Sequence, residues 1–341
     1  MIARGRAPLR LGLAGGGTDV SPYCDMHGGA VMNATIDRYA YATVEDASSG
    51  DITLEALDRG IAWQGTDFST VPQKLHLLSG ACARIANQFL DGKCPPLRLR
   101  TFSDAPPGSG LGSSSTLVVA VVSALSEYFQ IPLGEYDLAQ LAYVIERQDL
   151  GLAGGKQDQY AAAFGGFNFM EFAADDRVIV NPLRIKSSIQ AELEASIILY
   201  FTGVSRESAN IIREQSTNAK NNVADAVQAM HELKQEAVQM KESLLKADFD
   251  TMAKTFQRGW EAKKRMTNSI SNPMIDHMES IAIRNGALAT KISGAGGGGF
   301  MMFMCDPMDK IRLSTALLNE GGRIMDFHFT RDGAFSWRAM R

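Results

Sequence analysis

The sequence predicts a mixed α/β or α+β protein of about two domains. Strand-like and helix-like segments alternate through both halves of the chain. A length of 341 residues fits roughly two domains at about 150 residues each. The chain is 45% hydrophobic and 21% charged, a balance that supports a packed core in each domain and argues against disorder.

The elements follow in order. Leu9-Arg10-Leu11-Gly12-Leu13 alternates and reads as a strand entering the turn Gly15-Gly16-Gly17-Thr18-Asp19. Residues 30–35 and 39–45 read as two strands parted by Asp37-Arg38, and residues 51–57 as another. Residues 72–90 carry helical spacing through Leu75, Leu78, Cys82, Ile85 and Phe89. Residues 95–102 alternate as a strand and lead into a glycine-serine run followed by a buried helix to about Phe129. Residues 138–146 are helical, residues 151–155 break the pattern, and residues 157–164 start a further helix. The pattern weakens over residues 173–192, where we expect a boundary between domains 1–185 and 186–341. Beyond it, residues 196–201 read as a strand. Val223, Val227, Met230, Leu233, Ala237, Met240 and Leu244 form one face of a long helix. A second helix covers residues 249–264, with strands expected at 287–293, 300–304 and 323–329 and a helix at 308–318.

Several function classes are disfavoured by composition. A net charge of −4 gives no reason to expect nucleic acid or an anionic membrane as partner. No apolar run approaches the roughly 20 residues that span a bilayer, and the first residues lack a signal-peptide core. Four scattered cysteines form no C-x-x-C pair, so neither structural zinc nor a disulfide framework is expected, and the cytoplasm is the expected location.

The most informative stretch is Pro107-Gly108-Ser109-Gly110-Leu111-Gly112-Ser113-Ser114-Ser115. Alternate glycines let backbone approach a ligand without Cβ atoms in the way. The serines are expected to cap the following helix, whose first turn leaves N–H groups that attract an anion, most often phosphate. No Lys follows the last glycine, so this is not a G-x-x-x-x-G-K-[ST] loop. A second cluster, Ser293 through Gly299, fits G-x-G-x-x-G by spacing, but a strand-like run follows where a dinucleotide fold needs a helix. A turn that brings backbone close to phosphate is the better reading, with a purely structural turn as the alternative.

Three further groups could carry chemistry. Asp158 opens a helix after Gly154-Gly155-Lys156, where an acid is often only a capping group. Glu146 lies twelve residues upstream; with a serine of the glycine loop it would suit a hard cation such as Mg²⁺, and otherwise it is a surface charge. Arg10, with Gly16, Gly17, Thr18 and Asp19, suits hydrogen bonding to a polyol, or is an ordinary turn.

Taken in order, Ala7-Pro8-Leu9-Arg10, residues 107–115 and residues 291–299 resemble the three motifs of the GHMP kinase superfamily over nearly the whole chain. The Gly-Gly-Gly-Thr-Asp turn and Tyr200-Phe201-Thr202-Gly203 with Arg206 resemble a narrower branch, the D-glycero-D-manno-heptose 7-phosphate kinases, with fucokinase-like enzymes nearby. The resemblance implies an α+β fold, with a ribosomal S5-like N-terminal domain and a ferredoxin-like C-terminal domain. It implies an ATP-dependent sugar 1-kinase using ATP and Mg²⁺, acting in the synthesis of nucleotide-activated heptose for surface polysaccharide, as a monomer or homodimer.

It also implies residue roles. Asp158 faces the acceptor hydroxyl and Arg10 orients that hydroxyl and the acid. Pro107 through Ser115 bind the ATP phosphates, and Ser114 with Glu146 holds Mg²⁺. Gly16, Gly17, Thr18, Asp19, Lys156, Arg206 and Gly296 contact substrate, with Arg213 a further candidate for a substrate phosphate. Glu146 lies one residue farther from the acid than in mevalonate kinases, so a small insertion must be absorbed there. Galactokinases carry Glu-His where this chain has Gly16-Gly17, which argues against galactose. The alternatives are another sugar kinase, of L-fucose or hexosamine type, or a catalytically silent relative that binds ligand only.

Overall fold

The computed structural model describes residues 1–47, 50–203 and 208–340. The first sheet begins with β1 (Ile2–Ala14), followed by the short α1 (Tyr23–His27) and β2 (Gly29–Asp46). The two strands expected at 30–35 and 39–45 are this one 18-residue strand. Asp37 and Arg38 do not break it because a later segment of the chain hydrogen-bonds there: Asp37 N donates to His328 O at 2.8 Å. The hairpin β3 (Ile52–Ala56) and β4 (Ile61–Gly65) comes next, then α2 (His76–Phe89) and β5 (Leu97–Ser103). The helices α3 (Ser113–Phe129), α4 (Glu135–Tyr143) and α5 (Gln157–Phe164) precede β6 (Phe167–Phe172) and β7 (Val178–Pro182). A π-helical turn, Val144–Asp149, extends α4. Such a turn accommodates one extra residue, and it contains Glu146.

The remaining elements build a second sheet with helices against it. They are α6 (Ser187–Ser196), β8 (Ile197–Phe201), α7 (Ser208–Lys220), α8 (Ala224–Lys246) and α9 (Phe249–Met266). There follow α10 (Pro273–Arg284), β9 (Ala287–Ile292), β10 (Phe300–Cys305), α11 (Lys310–Asn319), β11 (Arg323–Ile324) and β12 (Phe335–Arg338). The fold is α+β. One sheet runs β12-β1-β2-β5-β3-β4, with β6 and β7 added on the other half of β2; the second runs β11-β8-β10-β9 and is antiparallel.

Three expectations change. The boundary region 173–192 is structured, holding β7 and the start of α6. Helices α7 and α10 were not legible; α7 is made mostly of polar residues and packs through a few apolar ones such as Ile211 and Ala219. The strand expected at 323–329 pairs with β8 only at Arg323 and Ile324. The chain then crosses to the first sheet, where Ile36 bridges Phe329, because Phe327 and Phe329 are buried in a cluster with Leu9, Leu11, Leu199 and Met302. That cluster draws on both sheets and joins the two halves of the molecule. The chain ends by placing β12 beside β1, from Ala3 opposite Arg338 to Arg6 opposite Phe335.

The uniformly apolar Leu117–Val122 run buries α3 on nearly all sides against β1 and β2. The contact is closest at Gly5, where a Cβ atom would lie 2.5 Å from Ala120 O and 2.8 Å from Ala124 N. Gly5→Ala should therefore push α3 off the sheet at a cost of about 1–3 kcal/mol, as overpacked cores do. A fall in the urea midpoint with unchanged slope would show it; an unchanged midpoint would mean that α3 is not held at this point.

Candidate active site

A cleft of about 290 Å³ opens between the two halves, lined by the turn after β1, the loop before α3, the loop before α5, α7, α9 and the loop between β9 and β10. The sequence brings these segments together through backbone. Arg10 N donates to Leu111 O at 3.1 Å and Phe300 N to Ser109 O at 2.9 Å, so the loop before α3 is clamped between β1 and β10. Ser293 Oγ donates to Gly110 O at 2.9 Å. Gly110 has φ +82°, and a Cβ there would lie 2.2 Å from Ser293 O. Only glycine satisfies both the conformation and the contact. The glycine cluster between β9 and β10 thus packs against the glycine loop before α3.

The expected serine cap is not present. The N-cap of α3 is Gly112, left-handed at φ +77°, with no side-chain hydrogen bond. The N–H groups of the first turn are therefore left to a ligand, and the serine hydroxyls serve other partners. Ser114 Oγ donates to Glu146 Oε1 at 2.8 Å; Ser115 Oγ accepts from Arg147 Nη2 at 3.3 Å and Gln159 Nε2 at 3.1 Å. Glu146 is fully buried, with Gln159 Nε2 2.5 Å from Oε2 and Arg147 Nη2 at 3.7 Å. Gly108, Gly110, Gly112, Ser113, Ser114 and Ser115 line the cleft. Pro107, Ser109 and Leu111 do not; they hold the loop in place, Leu111 and Ser109 fully buried.

Asp158 sits in the first turn of α5 and lines the cleft with Arg10. Arg10 Nε and Nη2 both lie 2.7 Å from Asp158 Oδ1, and Nη1 donates to Gly110 O at 2.6 Å. Three of its five N–H groups are used, so Arg10 aims the acid and keeps two for the cleft that it lines. Asp19 braces the same helix. Its Oδ2 accepts from Gln157 N at 3.0 Å, and its Oδ1 accepts from Gln157 Nε2 at 3.0 Å and Gly17 N at 3.2 Å. Three of about four lone-pair positions are taken, leaving one for a hydroxyl. A Cβ at Gly155 would lie 1.9 Å from Asp19 Oδ2, so the glycine before α5 is what allows this brace.

Gly16 and Gly17 line the cleft, but other expected substrate contacts require correction. Thr18 is fully buried. Its hydroxyl lies 2.8 Å from Gly15 O and 2.9 Å from Ala30 O and accepts from Ala30 N at 3.1 Å, which leaves it nothing for a sugar. Lys156 is 2% exposed and turns away from the cleft; its Nζ lies 2.8 Å from Asp176 and 3.8 Å from Asp25. Burial opposes its charge, but the bond to Asp176 together with the influence of Cys24 and Tyr143 more than compensates, and the net effect holds its pKa above the usual lysine value. Gly296 is buried against Ile270, and its neighbours Gly294 and Ala295 reach the cleft instead. Arg206 lies outside the described residues. Arg213, exposed on α7, does line the cleft, next to Gln215, whose buried Nε2 has no hydrogen-bond partner among the described residues.

Sequence reasoning missed Lys263. It lies on the buried face of α9, seven residues after Phe256 and three after Trp260, and reaches the cleft wall, where its Nζ donates to Gly294 O. Burial, then the charge of Arg10, pushes its pKa down to about 8 against the pull of Asp19 and Asp158. Lys291, behind it, donates to Gly12 O at 2.7 Å and Leu13 O at 3.2 Å and is also pushed well down, first by burial, then by Lys263 and Arg10. A lysine at an apolar helix position was the available signal.

Residues 76–166 match the family described as GHMP kinases N terminal domain, and residues 240–323 that described as GHMP kinases C terminal. A D-glycero-alpha-D-manno-heptose 7-phosphate kinase of Campylobacter jejuni is 48% identical, covering 98% of this chain and 98% of its own. An L-fucokinase/L-fucose-1-P guanylyltransferase of Bacteroides fragilis is 25% identical over 93% of this chain and 36% of its own length. The crystal structure of a D-glycero-D-manno-heptose 1-phosphate kinase from Bacteroides thetaiotaomicron matches with a TM-score of 0.83 at 43% identity, covering 99% of this chain and all of that one.

Thr18 offers a direct check on the cleft. Thr18→Val should lower stability by about 1–3 kcal/mol, since the Ala30 N–H and two carbonyls lose a buried partner, while KM for the sugar stays within about twofold. Urea unfolding and steady-state kinetics read the two effects. A large rise in KM without loss of stability would restore Thr18 as a substrate ligand.

Proposed function

Because this chain belongs to the GHMP kinase family, and is thus an ATP-dependent phosphotransferase with an alcohol acceptor, we propose that it phosphorylates the anomeric hydroxyl of D-glycero-D-manno-heptose 7-phosphate. The observation that carries the reading is Asp158, fixed by Arg10 at the cleft beside the open N-terminus of α3. Phosphoryl transfer asks little covalent chemistry of a protein; it needs the phosphates held, their charge offset and the hydroxyl in line. In our reading the first turn of α3 and the glycine loop hold the ATP phosphates. Asp158 takes or orients the hydroxyl proton while the oxygen attacks the γ-phosphorus and ADP leaves. Residues 1–185, with residues 329–338 returning to the first sheet, then form the nucleotide-binding domain and the rest of 186–341 the second, with the acceptor between them.

The donor set beside the loop suits Mg²⁺. Ser114 Oγ and a buried Glu146 carboxylate offer oxygens only, and a small hard cation takes one or two protein oxygens together with phosphate oxygens. Mg²⁺ held there would offset phosphate charge.

The heptose assignment is supported by the 48% identical relative named for the 7-phosphate, with the solved relative named for the 1-phosphate. A phosphate already on the sugar calls for a cationic wall, and Arg213 with the unpartnered Gln215 amide offers one. Among the described residues no helix is long and apolar enough to cross a membrane, and the reading includes a cytoplasmic location, where ATP is supplied. No observation favours the L-fucose reading over this one.

The test is ADP release with ATP, Mg²⁺ and a panel of heptose 7-phosphate, heptose 1-phosphate, mannose, L-fucose and galactose. Turnover is expected with heptose 7-phosphate alone, and Arg213→Ala should raise its KM about tenfold or more with kcat nearly intact. Turnover only with an unphosphorylated sugar would overturn the substrate. In the same assay, Glu146→Gln should raise the Mg²⁺ concentration needed for half-maximal rate about tenfold or more; an unchanged Mg²⁺ dependence would remove Glu146 from the metal site.

A further inference from the structure

The kinase reading leaves one charged group in the cleft without a task. Three cations, Arg10, Lys263 and Lys291, cluster behind the acceptor position, and two carboxylates, Asp19 and Asp158, face them. With every group ionised the cluster carries an excess of one positive charge, in a place largely closed to water. Arg10 directs three of its five N–H groups to Asp158 and Gly110 O, and Lys291, which does not line the cleft, directs two of its three to Gly12 O and Leu13 O. Among the described residues Lys263 has a single hydrogen bond, to Gly294 O, and it lines the cleft. An ammonium has three protons to donate, so two remain for a ligand.

An apolar residue at position 263 would continue the face of α9 that carries Phe256 and Trp260. Retaining a buried cation there works against stability, as perturbed groups at functional sites commonly do. The ligand that an ammonium with free donors in the cleft would hold is an anion, placed beside the acid that faces the acceptor hydroxyl in the kinase reading.

We propose that Lys263 is a catalytic residue whose ammonium contacts the phosphoryl group as it passes from ATP to the acceptor oxygen. This rests on the kinase reading of the same cleft. The group in transit is a loose, metaphosphate-like species between the leaving and attacking oxygens, so a cation fixed where its oxygens pass, and not where they rest in bound ATP, lowers the barrier more than it strengthens binding. The groups that face Lys263 are Arg10 from β1, Asp19 from the turn after it, Asp158 from α5 and Lys291 from β9.

The experiment compares wild type, Lys263→Met and Lys263→Arg from pH 6.5 to 10, using the sugar that wild type turns over fastest. A wrong heptose assignment then changes the substrate used, not the ratio between proteins. Lys263→Met should lose about a hundredfold or more in kcat, keep KM for ATP and sugar within about threefold, and melt at or above the wild-type temperature at pH 7. Activity needs the protonated lysine, so wild-type kcat/KM should fall as pH rises through about 8. The same limb in kcat should move to higher pH, because bound phosphate favours the charge. Lys263→Arg should recover at least about a tenth of kcat and lose the limb, since its guanidinium keeps its proton. A wild-type kcat/KM profile flat from pH 7 to 9.5 overturns the proposal whatever the variants do. A Lys263→Met variant with near-normal kcat and raised sugar KM overturns it too, making Lys263 a substrate anchor.

Discussion

The rest of the site depends on a contact between two stretches of bare backbone. Gly110 lies against Ser293 backbone, Phe300 N bonds Ser109 O, and the Ser293 hydroxyl that bonds Gly110 O is the one side chain the approach accommodates among the described residues. This contact brings the entrance of α3 against the β9–β10 turn, and so fixes the spacing of the two sheets at the point where a phosphate would sit. A methyl group on either loop would separate them by more than an ångström. The glycines of both clusters thus serve the assembly of the cleft as much as the approach of a ligand, which is why a phosphate-only account of them is incomplete.

On that platform the charges are arranged in series. Asp19 ties the start of α5, Arg10 ties Asp158 to the glycine loop, and each bond is to a group fixed by backbone elsewhere. The acid at the acceptor position has little freedom left to lose when substrate binds, the condition under which positioned groups are most effective. The pair proposed for Mg²⁺ is similarly prepared: Ser114 and Glu146 meet at 2.8 Å, with Gln159 holding the other carboxylate oxygen.

What could be read in the sequence was what is local. The glycine-serine run, the acid at the start of α5 and the long apolar face of α8 each reveal themselves within a few residues. Resemblance supplied the pairing of Ser114 with Glu146, which are 32 residues apart. Glu146 sits in a π-helical turn, a geometry that accommodates one extra residue. What could not be read was what depends on distant partners. Lys156 looked like a phosphate ligand beside a glycine turn, but Asp176 and Asp25 claim it from elements that carry no motif. Thr18 looked free until Ala30 was placed beside it. Lys263 carries no motif, and only its neighbours give it meaning.

The return of the chain at β12 has a temporal side. Strand β1 carries Arg10 and opens the first sheet, yet its outer edge is closed by residues 335–338. Residues 328–330, which secure β2 at Asp37 and Thr35, also come late. During synthesis the first sheet is therefore exposed along one edge until residues 335–338 have emerged, and closure of that edge has a high loop entropy to overcome. The two halves mature together: the first sheet cannot be closed before the second has been made, so a chain stalled partway is left with an open edge.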